Sequence, residues 1–259
     1  MSGPVTVRRE DGLAQIVLAS PPLNLFDEAM FAGLEAAVSE LESDLPRAVL
    51  ISAEGRVVSG GVDVKVFDAI ASAQEAAELW KRLIVLPQRL EALQCPTVFA
   101  AHGLCLTAAF EISLGCDLIL AAESARFGLV EIVVGLTPAM GGTQRLVERA
   151  GPGRARELVM TGELYDAATL HRWNVVNRVL PDDGFAEAAH AFASRLASGP
   201  TRAHSATKRV VRAALDGGVD AADAAVVGLA GDLFATEDLR NAVASFLTEG
   251  PGKATYVGR

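Results

Sequence analysis

The stretch CLTAAFEISLGCD, residues 105–117, with its continuation LILAAESARFGLVEIVVGL, residues 118–136, decides how this chain is read. Residues 92–110 pass without an acid, a lysine or an arginine before Glu111 appears among small and apolar side chains. A carboxylate on an apolar helix is costly unless it is paired, hydrogen-bonded or held neutral. Glu111 is therefore either a satisfied structural acid or a working one. Glu131 repeats the setting, with apolar neighbours on both sides, Gly128 shortly before it and Gly135 shortly after. Two isolated acids of this kind are what a proton-transfer site needs, because loss of water raises a carboxyl pKa toward working pH.

Working outward, TVFAAHG (97–103) reads as a strand, followed by a short helix carrying Glu111 and a second buried strand, DLILAA (117–122). VTVRREDGLAQIVLAS (5–20) reads as a hairpin around Asp11-Gly12. From Asp27 onward, Met30, Leu34, Val38, Leu41 and Leu45 recur at helical spacing. RAVLISAEG (47–55) reads as a buried strand, followed by the loop RVVSGGVDVK (56–65) and an amphipathic helix over about 72–93. Pro87 should kink or break that helix. Two strands followed by a helix recur, which predicts an α/β spiral of sheets rather than a simple doubly wound sheet. Beyond Asp183 the pattern turns helical, and the stripe Phe185, Ala189, Phe192 and Leu196 is closed by Gly199-Pro200. The change from mixed core to helical region falls near 195–200.

Composition excludes several classes. The 259 residues are 51% hydrophobic, which rules out disorder, and only 5% are aromatic. Lys and Arg number 23 against 32 Asp and Glu, a net charge of −9 without a basic run, which argues against nucleic acid. Cys95, Cys105 and Cys116 are odd in number and sit in apolar surroundings, as buried free thiols of a reducing compartment do. The opening MSGPVTVRRED has no apolar signal core, so export is not expected and a cytoplasmic location is. The uncharged run 92–110 has the length of a membrane span but is broken by Gln94, Pro96, Thr97, His102, Gly103 and Thr107, so no membrane is expected. His102, His171, His190 and His204 show no metal-ligand spacing, so no metal is expected. GLTPAMGGTQR (135–145) lacks the Lys-Ser/Thr of a phosphate loop and the spacing of a dinucleotide fingerprint. Ser59 lacks a nucleophile elbow and an assignable histidine.

Proton transfer beside a carbonyl also needs donors for the oxygen that becomes negative. SGGVD (59–63) is a glycine loop whose backbone N–H groups can stay unpaired and face a ligand. TAAFE (107–111) begins a helix, whose first N–H groups are also free. Two donors from two segments would make an oxyanion hole.

At these residues the chain resembles the enoyl-CoA hydratase/isomerase (crotonase) family. The likeness runs from PPLN near residue 22 through RVVSGGVDVKVF (56–67), residues 95–146 and MTGELYDAATLHRWNVVNRVLP (160–181) to FATEDLRNAVASFLTEG (234–250). The resemblance implies an α/β fold of the crotonase-like (ClpP/crotonase) type: a spiral core of ββα units over 1–197 and a C-terminal helical oligomerisation region over 198–259, assembled as a homotrimer or a hexamer of two trimers. It also implies an acyl-CoA thioester substrate with no separate cofactor, coenzyme A being part of the substrate. The thioester oxygen would lie between the backbone N–H groups of Val62 and Ala108. Glu111 and Glu131 fall on the family's two catalytic glutamates. Glu111 would activate a water for attack on Cβ, and Glu131 would deliver a proton to Cα. Arg56, Gly60 and Lys65 fall where the family meets coenzyme A, with Lys253 a further candidate cation and Ala139 in the loop over the substrate and water.

The chain also departs from the family pattern. Thr107, Ala108 and Ala109 replace three glycines, Val62 stands where alanine is common, Val58 where an aromatic is common, Ala139 where glycine is common and His102 where asparagine is common. The added methyl groups should narrow the hole and exclude positive φ, which points to an altered acyl preference or slow chemistry. A hydratase is favoured because hydration uses both acids. An isomerase moving the double bond of an enoyl-CoA can run on Glu131 alone, and a non-catalytic acyl-CoA-binding member of the fold is the third reading.

Overall fold

The computed structural model describes residues 3–259. Asp11 and Gly12 take φ values of 47° and 82°, the left-handed turn that lets β1 (Val5–Glu10) fold back on β2 (Leu13–Leu18). The pair is antiparallel and in register from Val5 opposite Leu18 to Glu10 opposite Leu13. Asp27 caps α1 (Glu28–Ser43) by accepting the Met30 N–H, and the helix buries Met30, Phe31, Leu34, Val38 and Leu41. Leu45 does not continue that stripe. The helix stops ahead of Pro46, which disfavours helical backbone at the residue before it, and Leu45 is 44% exposed.

After β3 (Ala48–Ala53) come α2 (Lys65–Asp68), α3 (Ala73–Leu83) and α4 (Val85–Ala92). The expected single helix is split at Ile84. Pro87 lies inside the first turn of α4, where its missing N–H is not needed. β4 (Thr97–Ala101) leads to β5 (Leu104–Leu106), then α5 (Ala108–Leu114), β6 (Leu118–Ala122), β7 (Arg126–Gly128) and a short 3-10 turn, Glu131–Val134. α6 (Gly142–Thr161) is kinked at Gly151 ahead of Pro152. β8 (Tyr165–Asp166), α7 (Ala167–Arg172), β9 (Arg178–Leu180), α8 (Phe185–Ala197), α9 (Thr201–Leu233) and α10 (Glu237–Glu249) complete the chain.

From β4 to β7 successive strands alternate between two sheets. The larger has the order β1-β2-β3-β4-β6-β9, parallel after the first hairpin, and the smaller has the order β5-β7-β8. Two turns of the spiral thus lay one strand in each sheet before a helix, first β4, β5 and α5 and then β6, β7 and α6. β5 intervenes between Gly103 and the helix that carries Glu111, where the sequence suggested no strand. Phe110 and Phe127 meet in the core with ring centroids 5.2 Å apart, tying α5 to β7. α8 packs on the large sheet, and buried side chains thin out beyond it, to Thr201, Ala222 and Leu229 on α9 and Asp238 on α10. The C-terminal tail folds back: Arg47 donates to the carbonyls of Gly199 and Tyr256, while Asp238 accepts the N–H groups of Val257 and Gly258.

Candidate active site

Every residue of α5 is buried, because the helix is enclosed between the smaller sheet and helices α4 and α6. Glu111 shares that burial, with 3% exposure. Its Oε2 accepts two backbone N–H groups, from Met140 and Gly142, each at 2.8 Å. Gly141, at φ 98°, turns the backbone so that these two donors converge. Gly142 must lack a side chain, since a Cβ there would lie 2.8 Å from Cγ of Glu111. The same loop is fixed from α6, where Arg145 donates to the Gly141 carbonyl and to both carboxylate oxygens of Glu91 on α4. The sequence reading missed this cradle. GLTPAMGGTQR was weighed as a nucleotide loop and, through Ala139, as the loop over substrate and water, but not as a holder of Glu111, although its paired glycines beside an arginine were the available signal.

Glu131 opens the 3-10 turn, and its surroundings differ from those its sequence neighbours suggest. Ile132, Val133 and Val134 point outward, Val133 with 79% exposure, so they do not bury the acid. Its carboxylate turns inward instead, and Oε2 is buried with no hydrogen-bond partner among the described residues. A cavity of about 20 Å³ is lined by both acids together with Val62, Phe67, Trp80 and Ala139. That is room for about one water molecule.

Burial and the charge of Glu131 push the Glu111 carboxyl up to about 8, against the pull of the Gly142 and Met140 N–H groups and of Arg145. Burial pushes Glu131 up to about 7. Burial thus favours the proton on Glu111, whereas the hydrogen bonds favour it on Glu131, since two loop donors hold a negative Glu111 while only its own backbone N–H lowers Glu131 and none among the described residues faces its Oε2. The pair titrates as one system that keeps a proton near neutral pH.

The two suggested oxyanion donors lie in adjoining segments, the Val62 N–H against the side chain of Thr107, which precedes Ala108. Val62 follows Gly61, which sits at φ 111°, and its N–H donates to Oγ1 of Thr107 at 3.2 Å. The N–H of Ala108, at the start of α5, has no acceptor among the described residues. Thr107 itself corrects an expectation: replacing glycine there does not exclude positive φ. Its φ is 47° and its ψ −118°, a conformation that costs a β-branched residue roughly 1–3 kcal/mol. The backbone is clamped in it, because the Thr107 N–H donates to the Gly128 carbonyl at 2.9 Å and the Thr107 carbonyl accepts from Glu111 at 2.8 Å.

Gly60 lies in the loop leading to this hole, its N–H donating to the Leu23 carbonyl at 2.8 Å. Arg56 and Lys65, exposed at the two ends of the glycine loop, form no ion pair within 4.0 Å among the described residues; neither does Lys253, exposed in the C-terminal tail. Ala139 lines the cavity, Val58 is buried in the core, and His102 faces the Gly55 carbonyl. The three cysteines are buried free thiols, and burial raises all three. Among the described residues no cluster of His, Cys, Asp and Glu could hold a metal, and no helix is long and apolar enough to cross a membrane.

This two-sheet spiral with a helical C-terminal region is the crotonase fold. A structure of an enoyl-CoA hydratase subunit from Geobacillus kaustophilus matches with a TM-score of 0.90 at 30% identity, covering 99% of this chain and 98% of that one. A profile described as enoyl-CoA hydratase/isomerase matches residues 8–254. The chain belongs to the enoyl-CoA hydratase/isomerase family of enzymes. Its relatives include a probable enoyl-CoA hydratase of Mycobacterium bovis, 29% identical over 254 residues that cover 97% of this chain and 98% of the relative. A short-chain-enoyl-CoA hydratase of Clostridium acetobutylicum is 28% identical over 252 residues, 94% of each chain.

Proposed function

We propose that the protein is an enoyl-CoA hydratase that adds water across the α,β double bond of a trans-2-enoyl-CoA. The observation that carries this reading is the cavity of about 20 Å³, sized for one water and lined by both Glu111 and Glu131. Glu111, whose negative form the Met140 and Gly142 N–H groups stabilise, takes the water proton as the oxygen attacks Cβ. Glu131, whose Oε2 has no hydrogen-bond partner among the described residues, protonates Cα. The charge that spreads onto the thioester oxygen meets the donors at Val62 and Ala108, and one such donor is worth about 10²–10³ in rate.

Arg56, Gly60 and Lys65 at the mouth of the glycine loop are proposed to meet coenzyme A, with Lys253 as an accessory cation; no separate cofactor takes part. The region 198–259 is proposed to assemble the chain into a trimer, or a hexamer of two trimers. Val219 and Val227 on α9, Phe234 just after it, and Phe246 and Leu247 on α10 support this by standing exposed on the single chain. A cytoplasmic location is also proposed, supported by three free cysteines of the kind found in a reducing compartment.

Purified protein incubated with a short and a medium trans-2-enoyl-CoA tests the reading by loss of enoyl thioester absorbance and by product mass. A gain of one water is expected. Conversion of a 3-enoyl to a 2-enoyl thioester without water would instead make the protein an isomerase, a shuttle that Glu131 alone can run. Binding without turnover would make it a carrier.

A further inference from the structure

We propose that the side-chain hydroxyl of Thr107 is itself a donor to the thioester oxygen, interposed between that oxygen and the backbone N–H of Val62. The inference rests on the acyl-CoA reading above and refines its oxyanion hole. Three observations meet at this residue. First, Oγ1 of Thr107 lies 3.2 Å from the Val62 nitrogen, in the place an oxyanion bound directly to that N–H would take. Second, a hydroxyl that accepts one hydrogen bond keeps a proton to give, and that of Thr107 has no acceptor among the described residues, although the residue is buried. Third, the backbone is held at φ 47°, which a threonine adopts only when its surroundings over-determine it.

The neighbouring loop accommodates the hydroxyl. A Cβ on Gly61 would come within 3.0 Å of Oγ1, and Gly61 sits at φ 111°, so the loop keeps this position open on two counts. The chain thus runs from Val62 N–H to Thr107 Oγ1, and from Thr107 Oγ–H to the thioester oxygen, with Ala108 N–H as the adjacent second donor. No proton changes owner along it. As charge grows on the oxygen the hydroxyl bond strengthens, and the Val62 donor polarises the hydroxyl further. The γ-methyl and the displaced oxygen position narrow the site, so a substituent beside the thioester carbonyl is disfavoured.

The test compares Thr107→Val, which keeps shape and branching, with Thr107→Ser, which keeps the hydroxyl. Butyryl-CoA labelled with carbon-13 at the thioester carbon, which cannot be hydrated, is bound to each protein, and its carbonyl stretch is read by infrared difference spectroscopy. A shift to lower frequency is expected in wild type and Thr107→Ser and is expected to be largely lost in Thr107→Val. Hydration by Thr107→Val should fall about 10²–10³-fold while Thr107→Ser stays within a few-fold of wild type. An undiminished carbonyl shift in Thr107→Val, or turnover as fast as wild type or faster, would show that the hydroxyl only blocks the hole and would overturn the proposal. Thr107→Ala serves the same comparison if Thr107→Val does not fold. A wild-type protein that polarises the thioester but hydrates no enoyl-CoA would refute the hydratase reading and leave Thr107 in its role; failure to bind butyryl-CoA would refute both.

Discussion

Glu111 and Glu131 look alike in sequence and unlike in the fold. Glu111 sits inside a wholly buried helix, its charge met by two backbone donors and its loop pinned by an ion pair. Glu131 sits on a surface turn whose apolar residues face outward, and its buried oxygen has no donor. One acid is held for the negative form by two N–H groups of a neighbouring loop, and the other has only its own backbone N–H to lower it. Under the proposed hydration, that asymmetry, and not burial alone, would let two neighbouring carboxylates divide the roles of base and acid.

The largest effects should come from removing the two acids in turn. Glu111→Gln and Glu131→Gln are each expected to lower hydration by about 10²–10⁴-fold, measured as loss of enoyl absorbance. Any double-bond shift should follow Glu131 alone. Equal loss of both reactions in both variants would erase the distinction between the two sites.

Both acids were legible because each is a single carboxylate in an uncharged run, and the strands β4 and β6 because their apolar runs end at turns. What escaped the sequence reading has physical causes. β5 and β7 are three residues long, too short for a period to show. The run Ile132–Val134 looks buried in one dimension, and only the fold reveals that its turn projects from the surface. Arg145 looks like an ordinary helical surface charge, yet it closes the loop around Glu111. Thr107 looks incompatible with positive φ, and tertiary clamping overrides that preference.

A mid-sized effect is expected from the pin that Glu111 has and Glu131 lacks. Arg145→Met should lower kcat about tenfold with KM little changed, since a loosened loop costs positioning rather than binding. It should also move the Glu111 titration upward, because a cation that favours the charged carboxylate is gone. An unchanged pH–rate profile would reduce Arg145 to a structural role.

Stability should carry a smaller signature of the same pair. Both folded-state values lie above the ordinary carboxylate value of 4.5, at about 8 and about 7. The neutral acids are thus favoured in the folded protein, and this contribution is full below about 4.5 and lost as pH rises through 7 to 8. Glu111→Gln cannot ionise, so its melting temperature relative to wild type should rise between pH 5 and pH 8 on the order of 2–4 °C per kcal/mol. A constant difference across that range would contradict the raised value. The smallest effect is expected at Thr107→Gly, where relief of the backbone at φ 47° is largely offset by the backbone entropy of glycine and by loss of the Val62 N–H acceptor, leaving a net gain of about 1 kcal/mol or less in chemical denaturation.

If the two acids together add one water, isotope incorporation reads the step directly. Crotonyl-CoA incubated with the protein in oxygen-18 water should give a 3-hydroxyacyl-CoA carrying one heavy oxygen at Cβ, and Glu111→Gln should give almost none. Incorporation at the wild-type rate in Glu111→Gln, or none in wild type while the thioester is bound, would contradict the account.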